Sequence, residues 1–470
     1  MKYQVKNTLT AHDVKQHIPH PFEVSPGYTQ LELTLHFSPA QVGNFHNMLT
    51  LSLFDPTGFR GAGHRGGNMH RVALNAATAT PGYLPGPLPP GTWLAQIDTH
   101  LILQDEPCRY TLEISIETGH PPRRDPPPPL PTSPVLNPRP GWYRGDLHAH
   151  SHHSDADWTP AELVKRAQQL GWDFVTLTDH NTISSIPDML RLTGDSLLTL
   201  VGMELTTFRG HALCLGARHW IDWRITPDHP MAEVARQVIA QNQIFVIAHP
   251  RDPGDPYCTG CDWQYPDVMP GPASHIEVWN HVSPEGCTDR ALALWYIWLN
   301  QGYRLVATTG SDAHFAAQLT PDSPCNVVYA EALSEVAVWR AIRQGRLYLS
   351  RAPQLEFTAR TPQSGPVMMG DTLTGSSADF TIAWTGVPDG AILRVIAEGR
   401  PLQEMPIGPE GNFTWQMSPA QARWCLVEIR DQGNELLALT NPIYLNRGRF
   451  HPELVEGGLS KGRNQPENEK

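Results

Sequence analysis

The chain has 470 residues, of which 40% are hydrophobic and 17% charged, and its formal net charge is −12. This length and hydrophobic content predict a globular protein with several domains. The negative charge argues against a nucleic-acid-binding protein, which needs a basic face to displace counterions, and the lack of a long apolar run or an apolar signal core predicts no membrane partner and a cytoplasmic location.

Residues 1–120 contain short runs in which apolar and polar residues alternate, separated by Gly and Pro; residues 31–37 and 110–116 are examples. This period of two predicts antiparallel strands, so we expect an N-terminal β-sandwich. Nothing in this region indicates chemistry. We interpret its histidines as surface or packing residues, among them His20, His36 and His46.

Residues 121–140 form a proline-dense segment, PPRRDPPPPLPTSPVLNPRP. Such a sequence favours a stiff polyproline II conformation and cannot join a packed core. We interpret it as a semi-rigid linker between domains; a ligand for an SH3-type domain is the alternative.

Residues 141–352 show a different pattern, in which apolar strands alternate with amphipathic helices. Thr159-Pro160-Ala161-Glu162 is a capping box with Pro at the first helical position, and Gly171 ends that helix. Strand–helix alternation over about 200 residues predicts an α/β domain whose parallel sheet closes into a barrel.

The polar residues of interest in this domain lie where the apolar strands end. His180, His249 and Asp312 each follow such a strand. The C-terminal strand ends form the active-site face of a (β/α) barrel, so this placement indicates a functional site. Imidazole and carboxylate ligands together suit Zn, Mn or Fe. The stretch 145–155, with four histidines and two aspartates, is then poorly explained as a histidine-rich surface loop.

The seven cysteines are scattered and odd in number, which predicts free thiols in a reducing compartment. Cys258 and Cys261 form a lone C-x-x-C in a loop rich in Pro and Gly. With no second pair nearby, this motif gives little support for zinc or redox chemistry.

Residues 353–446 return to alternating runs, and Asp431-Gln432-Gly433-Asn434 is a hairpin turn signal. We predict a C-terminal immunoglobulin-like β-sandwich here. The tail, residues 447–470, is rich in Gly, Asn, Glu and Lys and is predicted to be disordered.

Five short motifs, in order along the chain, resemble those of the PHP (polymerase and histidinol phosphatase) metallohydrolase superfamily. They are His148-Ala149-His150, Thr178-Asp179-His180, Gly202-Met203-Glu204, Ala248-His249-Pro250 and Ser311-Asp312-Ala313-His314. The segments around His148, His180 and His314 look most like the carbaryl-hydrolase-like (CehA/McbA) branch. The resemblance covers about residues 142–350 and implies a distorted (β/α)7, TIM-like barrel flanked by N-terminal and C-terminal β-sandwich domains.

The resemblance also implies two or three divalent metal ions, Zn, Mn or Fe, at the C-terminal face of the barrel. One metal would be bound by His148, His150, Glu204 and Asp312; a second would share Glu204 and add His211 and His249; a third would use Asp155, His180 and His314. The histidine-rich trinuclear members carry a histidine where Asp155 stands, and the branch often has Gly where Ala313 stands, so two metals are an alternative to three. His211 could instead be structural, and Glu277 is a candidate carboxylate behind the ligands.

We predict a metal-dependent phosphoesterase that hydrolyses a small phosphomonoester or nucleotide by a metal-bridged hydroxide. The positive charge of the cations would exceed the negative charge of the carboxylate ligands, so an acidic protein would have a cationic pocket for a small anionic substrate. Arg251, Arg209 and Asn181 are candidate substrate contacts, although both arginines fit ordinary surface positions equally well. Asp312 and His314 are candidate catalytic residues. No serine-nucleophile elbow or phosphate-binding glycine loop competes with a metal-activated water.

Three other functions remain as alternatives. A hydrolase for aryl esters or carbamates would use the same nucleophile against a carbonyl carbon. A non-catalytic, metal-stabilised binding scaffold is less consistent with the retention of nearly all expected ligands. A polymerase-associated exonuclease is disfavoured by the negative charge and by the lack of a polymerase region.

Overall fold

The computed structural model describes residues 1–103, 106–119, 130, 133–362, 364–375 and 377–446. Most of the predicted polyproline linker, residues 121–140, lies outside the described residues, as does the whole predicted disordered tail, residues 447–470. The linker and the tail therefore stay predictions, and so do the domain boundaries drawn from them.

The N-terminal region is built from antiparallel strands around one apolar core. The strands are β1 (Lys2–Leu9), β2 (His17–Val24), β3 (Gln30–Ser38), β4 (Gln41–Val42), β5 (Phe45–His46), β6 (Met48–Asp55), β7 (Gly58–Gly63), β8 (Met69–Asn75), β9 (Gly91–Leu101) and β10 (Cys108–Glu117). Two four-stranded sheets, β1-β10-β3-β8 and β2-β9-β6-β7, pack together, and β4-β5 is a separate hairpin. In β3, Leu31, Leu33 and Leu35 are buried while Glu32 and His36 are exposed, so the alternating sequence places one face in the core.

The central region contains nine strands and five α-helices among the described residues. They are β11 (Gly141–Asp146), α1 (Pro160–Gln169), β12 (Phe174–Leu177), α2 (Ile186–Leu190), β13 (Leu198–Thr207), β14 (Gly210–Leu215), α3 (Met231–Ala240), β15 (Ile244–Ile247), β16 (His275–Asn280), α4 (Cys287–Asn300), β17 (Val306–Gly310), β18 (Cys325–Ala330), α5 (Glu335–Arg343) and β19 (Leu347–Ser350). The predicted capping box is confirmed at α1, where the Thr159 hydroxyl accepts from Glu162 N and the Glu162 carboxylate accepts from Thr159 N.

The C-terminal region again consists of strands. They are β20 (Gln354–Thr361), β21 (Ser364–Met368), β22 (Thr372–Thr374), β23 (Ala378–Thr385), β24 (Ala391–Ala397), β25 (Arg400–Ile407), β26 (Gly411–Met417), β27 (Trp424–Arg430), β28 (Leu436–Thr440) and β29 (Ile443–Asn446). One sheet has the order β21-β20-β23-β26. The other strands belong to a fifteen-stranded sheet that runs on from the central region, because β28 pairs antiparallel with β19.

The central sheet is mixed, and the predicted closed, TIM-like barrel is not confirmed. Strands β11-β12-β13 and β15-β16-β17 are parallel, but β14 is antiparallel to both of its neighbours and β18 is antiparallel to β11. The connection between β13 and β14 is only residues 208–209, too short for the crossover that parallel strands require.

Within the described part of the chain, no strand ladder joins β17 to β18. The Asn326 side chain lies between them instead: its amide donates to Thr309 O at 2.7 Å and accepts from Thr309 N at 3.1 Å. One isolated bridge, between Ala149 and Ala313, joins the segments that follow β11 and β17. β17 and the segment that follows it thus approach β18 and the segment after β11 through side-chain and single-residue contacts rather than through a ladder.

Cys258 and Cys261 form a disulfide, so the prediction of free thiols is wrong for this pair. The remaining five cysteines are free and buried, namely Cys108, Cys214, Cys287, Cys325 and Cys425. The sequence offers little support for zinc or redox chemistry at this motif, and its two cysteines line the cavity of the candidate site described below. In the described residues, no helix combines the length and apolar character needed to cross a bilayer.

Candidate metal centre

His148 and His150 follow β11 and enter the centre side by side. The chain after β11 lies against the chain after β17: Asp312 N donates to His148 O at 2.8 Å, and His150 N donates to Ala313 O at 3.1 Å. Both imidazoles are fully buried. This pairing of two strand ends is what brings Asp312 next to the two histidines, although more than 160 residues separate them in sequence.

Four side chains converge at the first position. Asp312 Oδ1 lies 2.9 Å from His150 Nε2 and 3.4 Å from His148 Nε2. Glu204 Oε2 lies 3.3 Å from the Nε2 atoms of both histidines. These are the four residues assigned to the first metal from the sequence resemblance, and all four potential ligand atoms lie within 4.8 Å of one another.

Glu204 also faces a second pair of imidazoles with its other oxygen. Its Oε1 is 3.1 Å from His211 Nδ1 and 3.3 Å from His249 Nε2. The antiparallel β13-β14 pairing sets Thr206 opposite His211, which carries that ring to Glu204. His211 Nε2 lies 3.2 Å from Thr259 O. When Nε2 donates a hydrogen bond to this oxygen, the lone pair of Nδ1 is on the side of Glu204 and is free to bind a cation.

A third group forms around Asp155. Its Oδ1 lies 3.4 Å from His180 Nε2 and 3.3 Å from His314 Nε2, and His150 is close enough to complete a four-residue group. His180 also reaches Glu204 Oε2 through Nδ1, at 2.9 Å. The structure therefore brings together all nine side chains that the sequence resemblance assigned as metal ligands.

The carboxylates of this cluster require positive charge around them. Burial alone would raise the pKa of the Glu204 carboxyl, but His180 and His148 lower it well below its usual value. Burial alone would lower the pKa of His314, but its contact with Asp155 raises that pKa to about 10. Either protonated imidazoles or bound cations can supply this charge in a buried site.

Hydrogen bonds within the protein do not satisfy the cluster. Asp155 Oδ1 and Glu204 Oε2 are buried without a hydrogen-bond partner, and the Nε2 atoms of His148 and His150 face each other at 3.1 Å. Ligand atoms about 2.1 Å from a metal lie about 3.4 Å apart in a tetrahedron and about 3.0 Å apart in an octahedron. The separations of 2.9 to 3.4 Å at the first position fall in this range, so the residues present fit divalent cations.

Other buried carboxylates hold the segments that carry these ligands. Asp146 accepts from Ser311 Oγ at 2.5 Å and from Ser311 N at 3.0 Å, which joins the end of β11 to the segment after β17. Asp179 accepts from Ser151 N and Ser154 Oγ at 2.7 and 2.8 Å and fixes the loop that leads to Asp155. The sequence motifs contained these aspartates, but their anchoring contacts could not be read from the motifs.

Glu277 lies behind His148, as the sequence analysis allowed. Its Oε1 is 3.2 Å from His148 Nδ1, and its Oε2 accepts from His249 N at 3.0 Å. A proton on His148 Nδ1 would be held by this carboxylate, which directs Nε2 toward the metal position. Glu277 thus orients two ligands at once.

Replacing Glu277 with Gln is expected to weaken metal affinity about 10- to 100-fold, because the amide keeps the volume but loses the charge behind His148. Competition with a chelator, followed by elemental analysis of the retained metal, measures the change. Glu331→Gln is the matched control, since the Glu331 side chain is 70% exposed. Equal metal retention in the two variants would contradict the orienting role.

The three residues predicted to contact substrate are not among the described residues that line the cavity over the metal centre. The Asn181 amide donates to Thr206 O at 2.8 Å and accepts from Thr206 N at 2.9 Å, so it anchors β13 rather than lining the cavity. Arg209 and Arg251 are not among the described residues that line the cavity over the metal centre. Their contact with substrate therefore stays a prediction without geometric support.

One residue of the candidate site was missed from sequence. His64 follows β7 in the N-terminal region, to which we assigned no chemistry, and its ring centroid lies 4.6 Å from that of His180. No motif marks His64, and its proximity depends on how the N-terminal region docks, which a one-dimensional pattern does not encode. His46, interpreted as a surface or packing residue, also lines the cavity.

Comparisons with known proteins bear on the central region. Residues 146–249 match the family model described as the PHP domain, a stretch that contains seven of the nine potential ligands. This match supports the PHP superfamily for the central region and, with it, divalent metal binding and a hydrolase.

Individual known proteins resemble this chain only over part of its length or at low sequence identity. An uncharacterized protein from Methanocaldococcus jannaschii is 34% identical over 73 residues, which is 13% of this chain and 34% of that protein. The chain thus matches about a third of the length of this relative. A two-domain protein containing a predicted PHP-like metal-dependent phosphoesterase, from Bacteroides vulgatus, is 17% identical with a TM-score of 0.36 and coverage of 65% of this chain and 96% of that one. An amidohydrolase from Chromobacterium violaceum is 16% identical with a TM-score of 0.26 and coverage of 36% and 87%.

Proposed function

We propose that the protein is a metal-dependent phosphoesterase of the CehA/McbA branch of the PHP superfamily, acting on a small phosphomonoester or nucleotide. The observation that carries the proposal is Glu204, a fully buried carboxylate whose two oxygens face five imidazoles. This convergence of imidazoles on one carboxylate is explained when two or three cations share that carboxylate. We also propose a cytoplasmic location, as the sequence predicted.

Divalent cations held by these residues would activate a water molecule at neutral pH and stabilise the charge that develops on the phosphoryl oxygens. His148, His150 and His249 would hold the cations, with Glu277 orienting the His148 ring through Nδ1 and holding the backbone of His249 through its amide. Asp312 is itself oriented, because Asn280 Nδ2 donates to Asp312 Oδ2 at 3.2 Å and leaves Oδ1 toward His150.

His314 is the ligand candidate best placed to exchange a proton with substrate. Its side chain is 26% exposed, more than that of the other carboxylate and imidazole ligands around it, and it lines the cavity. Its Nδ1 is fixed by a hydrogen bond of 2.8 Å to Asp312 O, so Nε2 is the nitrogen that faces Asp155 and the cavity side. We therefore propose that, with two cations bound and none at the Asp155 position, His314 Nε2 delivers the proton to the leaving group.

A hydrolase for aryl esters or carbamates is the second candidate. The observation in its favour is that the described residues lining the cavity include no Lys or Arg, so any attraction for an anion must come from the cations alone. A neutral carbonyl substrate would not need a side-chain clamp.

The purified full-length protein, loaded with Mn²⁺ or Zn²⁺, is expected to hydrolyse p-nitrophenyl phosphate and to lose this activity with a chelator. His148→Ala should lower the rate about a thousandfold or more, because the lost Lewis-acid contribution amounts to several kcal/mol. His219→Ala, an exposed histidine of the same region, is the control. Metal-dependent turnover of p-nitrophenyl acetate or an aryl carbamate without turnover of the phosphate would replace the first candidate by the second.

A further inference from the structure

A cavity of about 680 Å³ lies over the metal centre and is walled by two parts of the chain. Its floor contains ligand candidates of the central region. Its opposite wall comes from the N-terminal region, namely Asn44, Phe45, His46, Asn47, Met48, His64, Gly66, Gly67 and Leu101. This volume lies within the range of sites for drug-sized ligands and far exceeds what a phosphate group alone would fill.

The N-terminal wall is held firmly against the metal-binding loops. Thr182 Oγ1 donates to Gly82 O at 2.7 Å, and Gly82 N donates to Ser184 Oγ at 3.0 Å. Gly82 is at φ +94°, and an added Cβ would lie 2.8 Å from His153 O, so the two backbones are in close contact. The docking therefore fixes the distance between the N-terminal wall and the metal centre.

His64 is the polar group that this docking places over the centre. It is 6% exposed, lines the cavity, and its ring lies against those of His180 and His100, at 4.6 and 4.9 Å between centroids. Its Nδ1 is buried without a hydrogen-bond partner. The ligand groups found among the described residues do not include His64, so the metal positions do not account for it.

The N-terminal wall mixes apolar side chains with uncharged polar ones, such as Asn44 and Asn47, and its described residues include no Lys or Arg. Phe45 packs edge-on against Tyr257 at 5.4 Å between ring centroids, and Thr259 Oγ1 contacts Met48 Sδ at 3.2 Å, so the two walls meet at these side chains. As noted above, no Lys or Arg lines the described cavity. Burying a second anionic group of a substrate here would leave that charge unpaired, whereas an uncharged ring or chain would be favoured.

We infer that the N-terminal region forms the leaving-group subsite of the enzyme, with His64 as a substrate-contact residue, and that the substrate is a monoester whose leaving group is uncharged and about the size of one or two rings. The inference rests on the proposed function for the reacting group.

The test uses two phosphonates that cannot be hydrolysed, benzylphosphonate and methylphosphonate, titrated by calorimetry into the metal-loaded full chain. Wild type is expected to bind benzylphosphonate at least about tenfold more tightly than methylphosphonate, as expected for burial of one apolar ring. His64→Ala, which removes the ring from the wall, and Phe45→Ala are each expected to lower this ratio at least about threefold while metal content by elemental analysis is unchanged.

His36→Ala is the matched control, because His36 is exposed on β3 of the same region and does not line the cavity. An unchanged ratio in both His64→Ala and Phe45→Ala, with wild-type metal content, would overturn the inference. Phe45 is only partly buried, so Phe45→Ala keeps the test decisive if His64→Ala does not fold. If wild type shows the binding ratio and its loss in the variants but hydrolyses no phosphate ester, the subsite stands and the proposed phosphoesterase function fails.

Discussion

Replacing Glu204 with Gln is expected to remove at least one equivalent of bound metal and to lower hydrolase activity by about three orders of magnitude or more. The substitution keeps the volume of a fully buried side chain. It removes the charge that faces His148, His150 and His180 through Oε2, at 3.3, 3.3 and 2.9 Å. It also turns an amide NH₂ toward ring nitrogens or cations, where only an acceptor is useful.

Elemental analysis of the purified variant and its turnover of p-nitrophenyl phosphate measure the two parts of this expectation. Glu356→Gln, on an exposed position of β20, is the matched control and should behave as wild type. A Glu204→Gln protein that retains all of its metal would show that the carboxylate does not bridge the metal positions, and the proposed arrangement of the centre would have to be abandoned.

Gly310→Ala is expected to lower activity about a hundredfold or more while disturbing no ligand chemically. Gly310 is the last residue of β17, and a methyl group there would overlap Glu277 Oε1 and His148 Cβ. Either the ligand or the carboxylate that orients it must move, and a displacement of about 1 Å at such a site costs about a hundredfold in rate. Overpacking of this buried position should also destabilise the fold by about 1–3 kcal/mol.

Chemical denaturation and steady-state kinetics together check this expectation. Gly194→Ala is the control, because an added Cβ at Gly194 meets nothing within 4 Å. If Gly310→Ala binds metal and turns over substrate at wild-type levels, Glu277 and His148 are not held as tightly as their contacts indicate.

The candidate centre could be predicted from sequence because one physical rule relates the position of a residue after a strand to its place in the folded domain. Parallel strands place their C-terminal ends at one edge of a sheet, so polar residues that follow such strands converge. His148, His180, His249 and Asp312 obey this rule, and the structure does bring them together. His211 is different: it begins β14, and it reaches Glu204 only because β13 and β14 form an antiparallel hairpin.

The same hairpin explains why the parallel strand order predicted for the central sheet was wrong at β14. Phe208 and Arg209 connect β13 to β14 without a recognisable turn signal such as Asn-Gly, so the two apolar runs looked like separate units of a parallel alternation. His64 could not be found for another reason. Its relation to His180 is a contact between regions, and neither periodicity nor motif spacing carries information about docking.

The strand ladder between β19 and β28 limits where this protein can be truncated. Tyr348, Leu349 and Ser350 pair along their outer edge with residues 438–440, so a chain ending after β19 would expose unpaired backbone amides and carbonyls at the edge of the central sheet. An unpaired strand edge of this kind promotes self-association. β28 therefore covers this edge of the central sheet, and the central and C-terminal regions are expected to fold as one unit.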